Sequence, residues 1–290
     1  MKSFQGKVAA ITGAGSGIGR ALAIELARRG CALALADLDA LRLAETQALA
    51  QADGVRVTTS ALDVANRQAV FDWAERCRTE HGKVNLIFNN AGVALTSFAE
   101  TTAQADFEWL MGINFWGVVH GTQAFMPHLR ASGEGHVINI SSLFGIMAMP
   151  TQSAYNASKF AVRGFTEALR MELELAEAPV SATCVHPGGI ATNIAMAGRI
   201  DPAIERVSGM DAQAHRKRAH KMIQVTTPQS AARQILTGVE RNARRVVVGP
   251  DAKLMDLWTR IFGSWYQPLV LRGVRKLRAK ERPLGDSRPA

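Results

Sequence analysis

The sequence predicts an α/β protein: a doubly wound, mostly parallel sheet with helices on both faces. Three observations predict it. Short apolar runs alternate with amphipathic stretches from residue 7 to about residue 250, as expected of buried strands joined by crossover helices. A glycine-rich turn, Thr12 to Gly19, follows the first run at once. Polar residues at Asp37, Asp63 and Asn89 to Gly92 end the next three runs, at the sheet edge where such folds take ligands.

The first strand is Lys7 to Ile11. A helix from about Ser16 to Arg29 carries Ile18, Leu22 and Leu26 on one stripe, and Gly30 stops it. Strand, glycine turn and helix together form a setting for a pyrophosphate. Glycines allow close backbone approach, and the helix N-terminus offers N–H groups and a partial positive charge. A plain turn is the alternative reading.

The second strand, Ala32 to Ala36, ends at Asp37. This carboxylate lies 18 residues beyond Gly19, near the ~20 expected of a group that binds a ribose 2′-hydroxyl. It would repel a 2′-phosphate. Ser16 and Ile18 hold the variable loop positions, so no cation stands there, and Arg42 sits within the next helix. These features predict NAD rather than NADP. Asp37 could also serve as a helix N-cap. Strands at Val55–Leu62 and Val84–Phe88 flank a helix over 66–81.

Tyr155 and Lys159 stand four residues apart. On a helix they share one face. An ammonium beside a phenol lowers the phenol's pKa from ~10 and suits it to proton transfer near neutrality. The pair alone could equally be a solvated helix face.

Composition is that of a globular protein, 47% hydrophobic and 20% charged. Residues 1–250 read as one domain and 251–290 as a basic, partly amphipathic helical extension. The net charge of +9 is uneven. Residues 241–290 hold 12 Lys/Arg and 4 Asp/Glu, a net +8, which leaves +1 for the rest. A nucleic-acid role is therefore disfavoured. Cys31, Cys77 and Cys184 are isolated, with no disulfide pattern and no metal-ligand spacing. No apolar leader or membrane-length run is found, so the expected location is cytoplasmic.

Several motifs occur in one order: Thr12-Gly13-x-x-x-Gly17-x-Gly19, Asn89-Asn90-Ala91-Gly92, Asn114, Ser142, Tyr155-x-x-x-Lys159 and Pro187-Gly188. Together they resemble the short-chain dehydrogenase/reductase family over about residues 5–250. The resemblance implies a Rossmann-like, seven-stranded sheet and an oxidoreductase of secondary alcohols and ketones. Tyr155 would be the general acid/base and Lys159 the partner that binds the nicotinamide ribose. Ser142, 13 residues before Tyr155, would polarise the substrate oxygen. Asn114 would hold a water in a proton relay. Gly13, Ser16, Gly17, Ile18 and Gly19 would line the pyrophosphate, and Asp37 would bind the adenosine ribose. Asp63 and Val64 would sit at the adenine, and Asn90, Ala91 and Gly92 along the cofactor's middle. Pro187, Gly188, Ile190 and Thr192 would hold the nicotinamide. No metal is expected, and a homodimer or homotetramer would pack through helices near 103–131 and 153–177. A quiet cofactor-binding scaffold and an NAD-assisted epimerase or dehydratase are the alternatives.

Residues 193–227 resemble the family's substrate lid. Met196, Ile200, Ile204, Val207, Met210, Met222 and Ile223 give it apolar content. Leu143, Phe144, Ile146, Met147, Met149 and Val93 would add apolar walls, which suggests a lipid, steroid, aromatic or terpenoid substrate. Packing against the domain body is the equal alternative. The cluster His215 to Arg218 is read as a solvated helix face. In the extension, Leu254, Leu257, Trp258, Ile261, Phe262, Trp265, Tyr266 and Leu269 form an apolar stripe before Arg272 and Arg275. It is read as packing within the protein or its oligomer, with peripheral contact to an anionic membrane as the alternative.

Overall fold

Residues 1–208 and 210–281 are described by the computed structural model, without the side chains of residues 207, 208 and 276–281. The side chains of Val207, Lys276, Arg278 and Lys280, and residues 282–290 of the extension, lie outside what is described.

The chain begins with β1 (Val8–Thr12), α1 (Gly17–Arg28), β2 (Ala32–Asp37), α2 (Ala40–Gln51), β3 (Val57–Ala61), α3 (Arg67–His81) and β4 (Leu86–Asn89). It continues through β5 (Leu95–Thr96), α4 (Gln104–Met111), a π-helical turn (Gly112–Trp116), α5 (Gly117–Ala131) and β6 (Gly135–Ile140). A 3₁₀ turn (Leu143–Gly145), α6 (Ser153–Leu175) and β7 (Val180–Pro187) follow. The segment expected to be the lid forms α7 (Ile194–Ala197), β8 (Arg199–Ile200), α8 (Ala203–Ser208) and α9 (Ala212–Met222). Then come α10 (Pro228–Glu240), β9 (Arg245–Val248), α11 (Pro250–Phe262), a second 3₁₀ turn (Gly263–Trp265) and α12 (Tyr266–Glu281).

Seven strands form one sheet in the order β3-β2-β1-β4-β6-β7-β9, and every pairing is parallel. The order reverses at β1, so the carboxyl ends of β1 and β4 diverge there and open a crevice. Strand alternation builds two cores. Ala9, Ile11, Leu33 and Leu35 face α1 and α10 in one cluster. Ala10, Ala34 and Ala36 face the other side, where Trp73 and Phe125 meet edge to face at 5.0 Å.

Local signals explain the boundaries. α1 ends in a paired closure: Gly30 N–H bonds Ala27 O, and Cys31 N–H bonds Leu26 O. Gly30 sits at φ +72°, where a Cβ would be strained. The helix expected over 103–131 is interrupted by the π turn that carries Asn114. The three cysteines are free and buried, and burial pushes the Cys31 and Cys184 thiols up to about 12. Among the described residues no helix is long and apolar enough to cross a membrane.

Candidate active site

The glycine loop is braced by its neighbours. Asp37 Oδ2 accepts from Gly15 N–H at 2.8 Å and Oδ1 from Asp39 N–H at 3.0 Å. The capping role belongs to Asp39, which accepts from Arg42 N–H at the start of α2. Asp37 is thus held at the sheet edge against the loop. Asn90 Nδ2 donates to the carbonyls of Thr12 and Gly13 at 2.9 and 3.1 Å. Its side chain is spent on the loop's backbone. Gly19 is required sterically, since a Cβ there would lie 2.1 Å from Gly13 O.

The residues fit a dinucleotide. Ser16, the N-cap of α1, makes no side-chain capping bond, and the first turn holds no acid. The helix's first N–H groups are therefore open to an anion. Beside them lies a cavity of about 390 Å³ lined by Ser16, Gly17, Arg20, Thr192 and Asn193 among others. Asp63 accepts from Ala65 N–H at 2.9 Å, and Val64 is buried against the Cα of Gly117.

The three side chains expected to react converge beyond β6. Ser142 follows that strand and caps the 3₁₀ turn, accepting from Phe144 N–H at 3.1 Å. Tyr155 and Lys159 lie in the first two turns of α6. The Lys159 ammonium is 5.7 Å from the Tyr155 ring centroid and donates to Ile140 O at 3.1 Å. Burial lowers the Lys159 pKa to about 8. The expectation that Lys159 brings the Tyr155 pKa down is not met in the chain by itself. Burial pushes the phenol up, and the hydrogen bond with Ser142 is what pulls it back. The physical reason is that desolvation acts on both groups at once and disfavours each charged form.

Asn114 is fully buried. Its amide brackets Val93, accepting from the N–H at 2.8 Å and donating to the carbonyl at 3.0 Å. It also donates to Ser158 Oγ at 3.2 Å. The side chain therefore ties the loop after β4 to α6. A Cβ on Gly92 would lie 3.2 Å from Asn114 Oδ1 and 3.5 Å from Lys159 Nζ, so the glycine leaves both side chains room.

The loop after β7 is held from farther along the chain. Gly188 N–H bonds Val248 O, and Ala191 N–H bonds Thr226 O. Ile190 is buried, and Thr192 Cγ2 would be 3.0 Å from a Cβ on Gly17. The loop thus closes against the glycine turn. The lid is stitched to the body by β8, which pairs with β5. Arg199 stacks 3.7 Å over the Trp109 ring and pairs with Asp106 at 2.6 Å. Its apolar residues divide: Ile204 is buried, while Met196 and Met222 are exposed. The cluster on α9 is mixed. Lys217 is exposed, whereas Arg216 donates to Gly198 O.

Several supporting residues carry no motif. His186 is wholly buried and donates from Nδ1 to Ser142 O at 3.0 Å. Burial drives its pKa down to about 4, which fixes a neutral ring that positions the Ser142 backbone. Asn156, beside Tyr155, donates to Phe144 O and Met147 O and accepts from Met149 N–H. In the sequence, Asn156 is signalled only by its adjacency to Tyr155 and His186 only by its adjacency to Pro187.

The family profile described as short chain dehydrogenase matches residues 7–202. A Mycobacterium tuberculosis protein named as an oxidoreductase, SadH, is 50% identical over 276 residues, covering 95% of this chain and 98% of that one. Estradiol 17-beta-dehydrogenase 11 of Macaca fascicularis is 36% identical over 192 residues, 66% of this chain and 64% of its own. The crystal structure of a short-chain dehydrogenase/reductase from Burkholderia phymatum in complex with NAD superposes with a TM-score of 0.82 at 31% identity, covering 92% of this chain and 97% of that one. The chain belongs to the short-chain dehydrogenase/reductase family and is an oxidoreductase with a nicotinamide-cofactor fold.

Proposed function

We propose that the chain moves a hydride between NAD(H) and an apolar secondary alcohol or ketone. The observation that carries this reading is the meeting of Ser142, Tyr155 and Lys159 at the carboxyl edge of the sheet, beside the open end of α1. When bound, the nicotinamide accepts or supplies the hydride. In oxidation, ionised Tyr155 takes the hydroxyl proton of the substrate, and Ser142 donates to the oxygen as it becomes a carbonyl. Lys159 carries positive charge beside the phenol, and the segment around Asn114 leads the proton outward. Reduction reverses these steps.

Gly13, Ser16, Gly17, Ile18 and Gly19 serve the pyrophosphate, and Asp63 and Val64 flank the adenine. Asn90 to Gly92 border the middle of the cofactor, and Pro187, Gly188, Ile190 and Thr192 its nicotinamide end. NAD is preferred because the Asp37 carboxylate stands at the end of β2, where a 2′-phosphate would meet its charge. Apolar substrates are favoured by Met147, Ile146 and the lid, and the steroid in the name of one relative agrees. A homo-oligomer through α5 and α6 is supported by the exposed side chains of Trp116, Phe160 and Met171.

The test is a panel of steroid, terpenoid, aromatic and sugar secondary alcohols with NAD⁺ or NADP⁺, read at the reduced-nicotinamide absorbance band. Turnover of apolar alcohols with NAD⁺ is expected. A clear preference for NADP⁺ or for sugars would overturn the corresponding part of the reading.

A further inference from the structure

The extension beyond β9 touches both loops that flank Tyr155. Gly249, at φ +97°, turns the chain from β9 into α11. Asp251, in the first turn of α11, sends its carboxylate back onto the loop after β7. Its Oδ2 accepts from Gly189 N–H at 2.6 Å. The fit is close, since a Cβ on Gly188 would lie 2.4 Å from that oxygen. Asp251 Oδ1 is buried with no hydrogen-bond partner, and so is Thr226 Oγ1 beside the same turn.

At the far end of α11 the 3₁₀ turn delivers Tyr266. Its hydroxyl accepts from Ala148 N–H at 2.8 Å. Ala148 lies in the stretch that follows Ser142, and the neighbouring carbonyl of Met147 is held by Asn156 next to Tyr155. One helical segment therefore grips the loop after β7 at one end and the loop after β6 at the other.

We propose that the extension is a two-point clamp in which Asp251 positions the nicotinamide-facing loop and Tyr266 positions the substrate-facing loop. The inference rests on the reading of residues 187–192 as the nicotinamide contact. Asp251 acts through Gly189 on Ile190 and Thr192, and is a positioning residue. Tyr266 acts through Ala148 on the wall beside Ser142.

The two grips are separable by experiment on the full chain. Wild type, Asp251→Ala, Asp251→Asn and Tyr266→Phe are compared by peptide-resolved hydrogen exchange and by NADH titration. A hydrogen bond to a charged group contributes a factor of roughly 10–100 to the stability of the segment it holds, and ligand binding to that segment can lose up to this factor. Asp251→Ala is therefore expected to raise exchange in 187–192, to leave 143–149 unchanged, and to raise the NADH dissociation constant by about 10-fold or more. Asp251→Asn keeps an acceptor for Gly189 N–H and should recover most of both. Tyr266→Phe should raise exchange only in 143–149, with NADH affinity unchanged. The clamp is overturned if Asp251→Ala keeps wild-type NADH affinity, if it loosens the whole sheet alike, or if Asp251→Asn is as impaired as Asp251→Ala. It is also overturned if Tyr266→Phe leaves exchange in 143–149 unchanged. A wild-type chain that does not bind NADH would instead overturn the cofactor reading beneath it.

Discussion

Two loops at the same edge of the sheet are held by different means. The glycine loop after β1 is braced by Asp37 and Asn90, residues that themselves stand in binding motifs. The loop after β7 is braced by Thr226, Val248 and Asp251, which stand in none. The first loop and its braces form one local unit at the ends of β1, β2 and β4. The second is braced from farther along the chain, by Thr226 before α10, Val248 in β9 and Asp251 in α11.

This contrast can be broken at graded strength. The largest effect is expected of Gly19→Ala. Its Cβ would collide with the Gly13 carbonyl, and two backbones cannot both stay in place. NADH binding by calorimetry should fall by more than ~100-fold, with loss of ~1–3 kcal/mol of stability from overpacking. Asp37→Ala comes next. It removes a charged acceptor from Gly15 N–H and from the end of β2, so NAD⁺ affinity should drop by roughly 10–100-fold, while NADP⁺ affinity drops less or rises. Equal losses for both cofactors would show that Asp37 only braces the loop.

Lys159 makes a prediction about pH. Its pKa is about 8 in the folded chain against 10.5 for an ordinary lysine. Between those values the unfolded chain binds a proton that the folded chain does not, so this group's contribution to stability rises as pH climbs from 8 to 10.5. Chemical denaturation should show that rise in wild type and its loss in Lys159→Met. The smallest effect is expected of Thr226→Val. The hydroxyl is buried without a protein partner, so putting a methyl group in its place should leave stability unchanged or raise it by about 1 kcal/mol. A loss of stability would mean that the hydroxyl is engaged.

Most of the fold was legible because its signals are local. Apolar runs marked the first four strands of the sheet to within two residues, and Gly30 marked the end of α1 through its left-handed backbone. The glycine turn, Asp37 and the Tyr155/Lys159 pair were read from residue type and spacing, whereas Ser142 was singled out only through the family resemblance. The π turn at Asn114 was not, since it depends on how two helical stretches meet over β4. The effect of burial on Tyr155 was missed for a similar reason. Spacing places Lys159 beside the phenol but carries no measure of how far both are desolvated. His186, Asn156 and Asp251 act through backbone contacts that only the assembled chain creates. In the extension, the helical spacing of the apolar residues was legible, but the grip of Tyr266 on Ala148 was not.

The central claim is that Tyr155 moves the proton while the nicotinamide moves the hydride. It is tested most directly by single-turnover alcohol oxidation in Tyr155→Phe, using an alcohol that wild type turns over, with NAD⁺ affinity measured alongside. The account predicts near wild-type NAD⁺ binding and a hydride-transfer rate lower by about 10²–10⁴-fold. Near wild-type hydride transfer in Tyr155→Phe would contradict it.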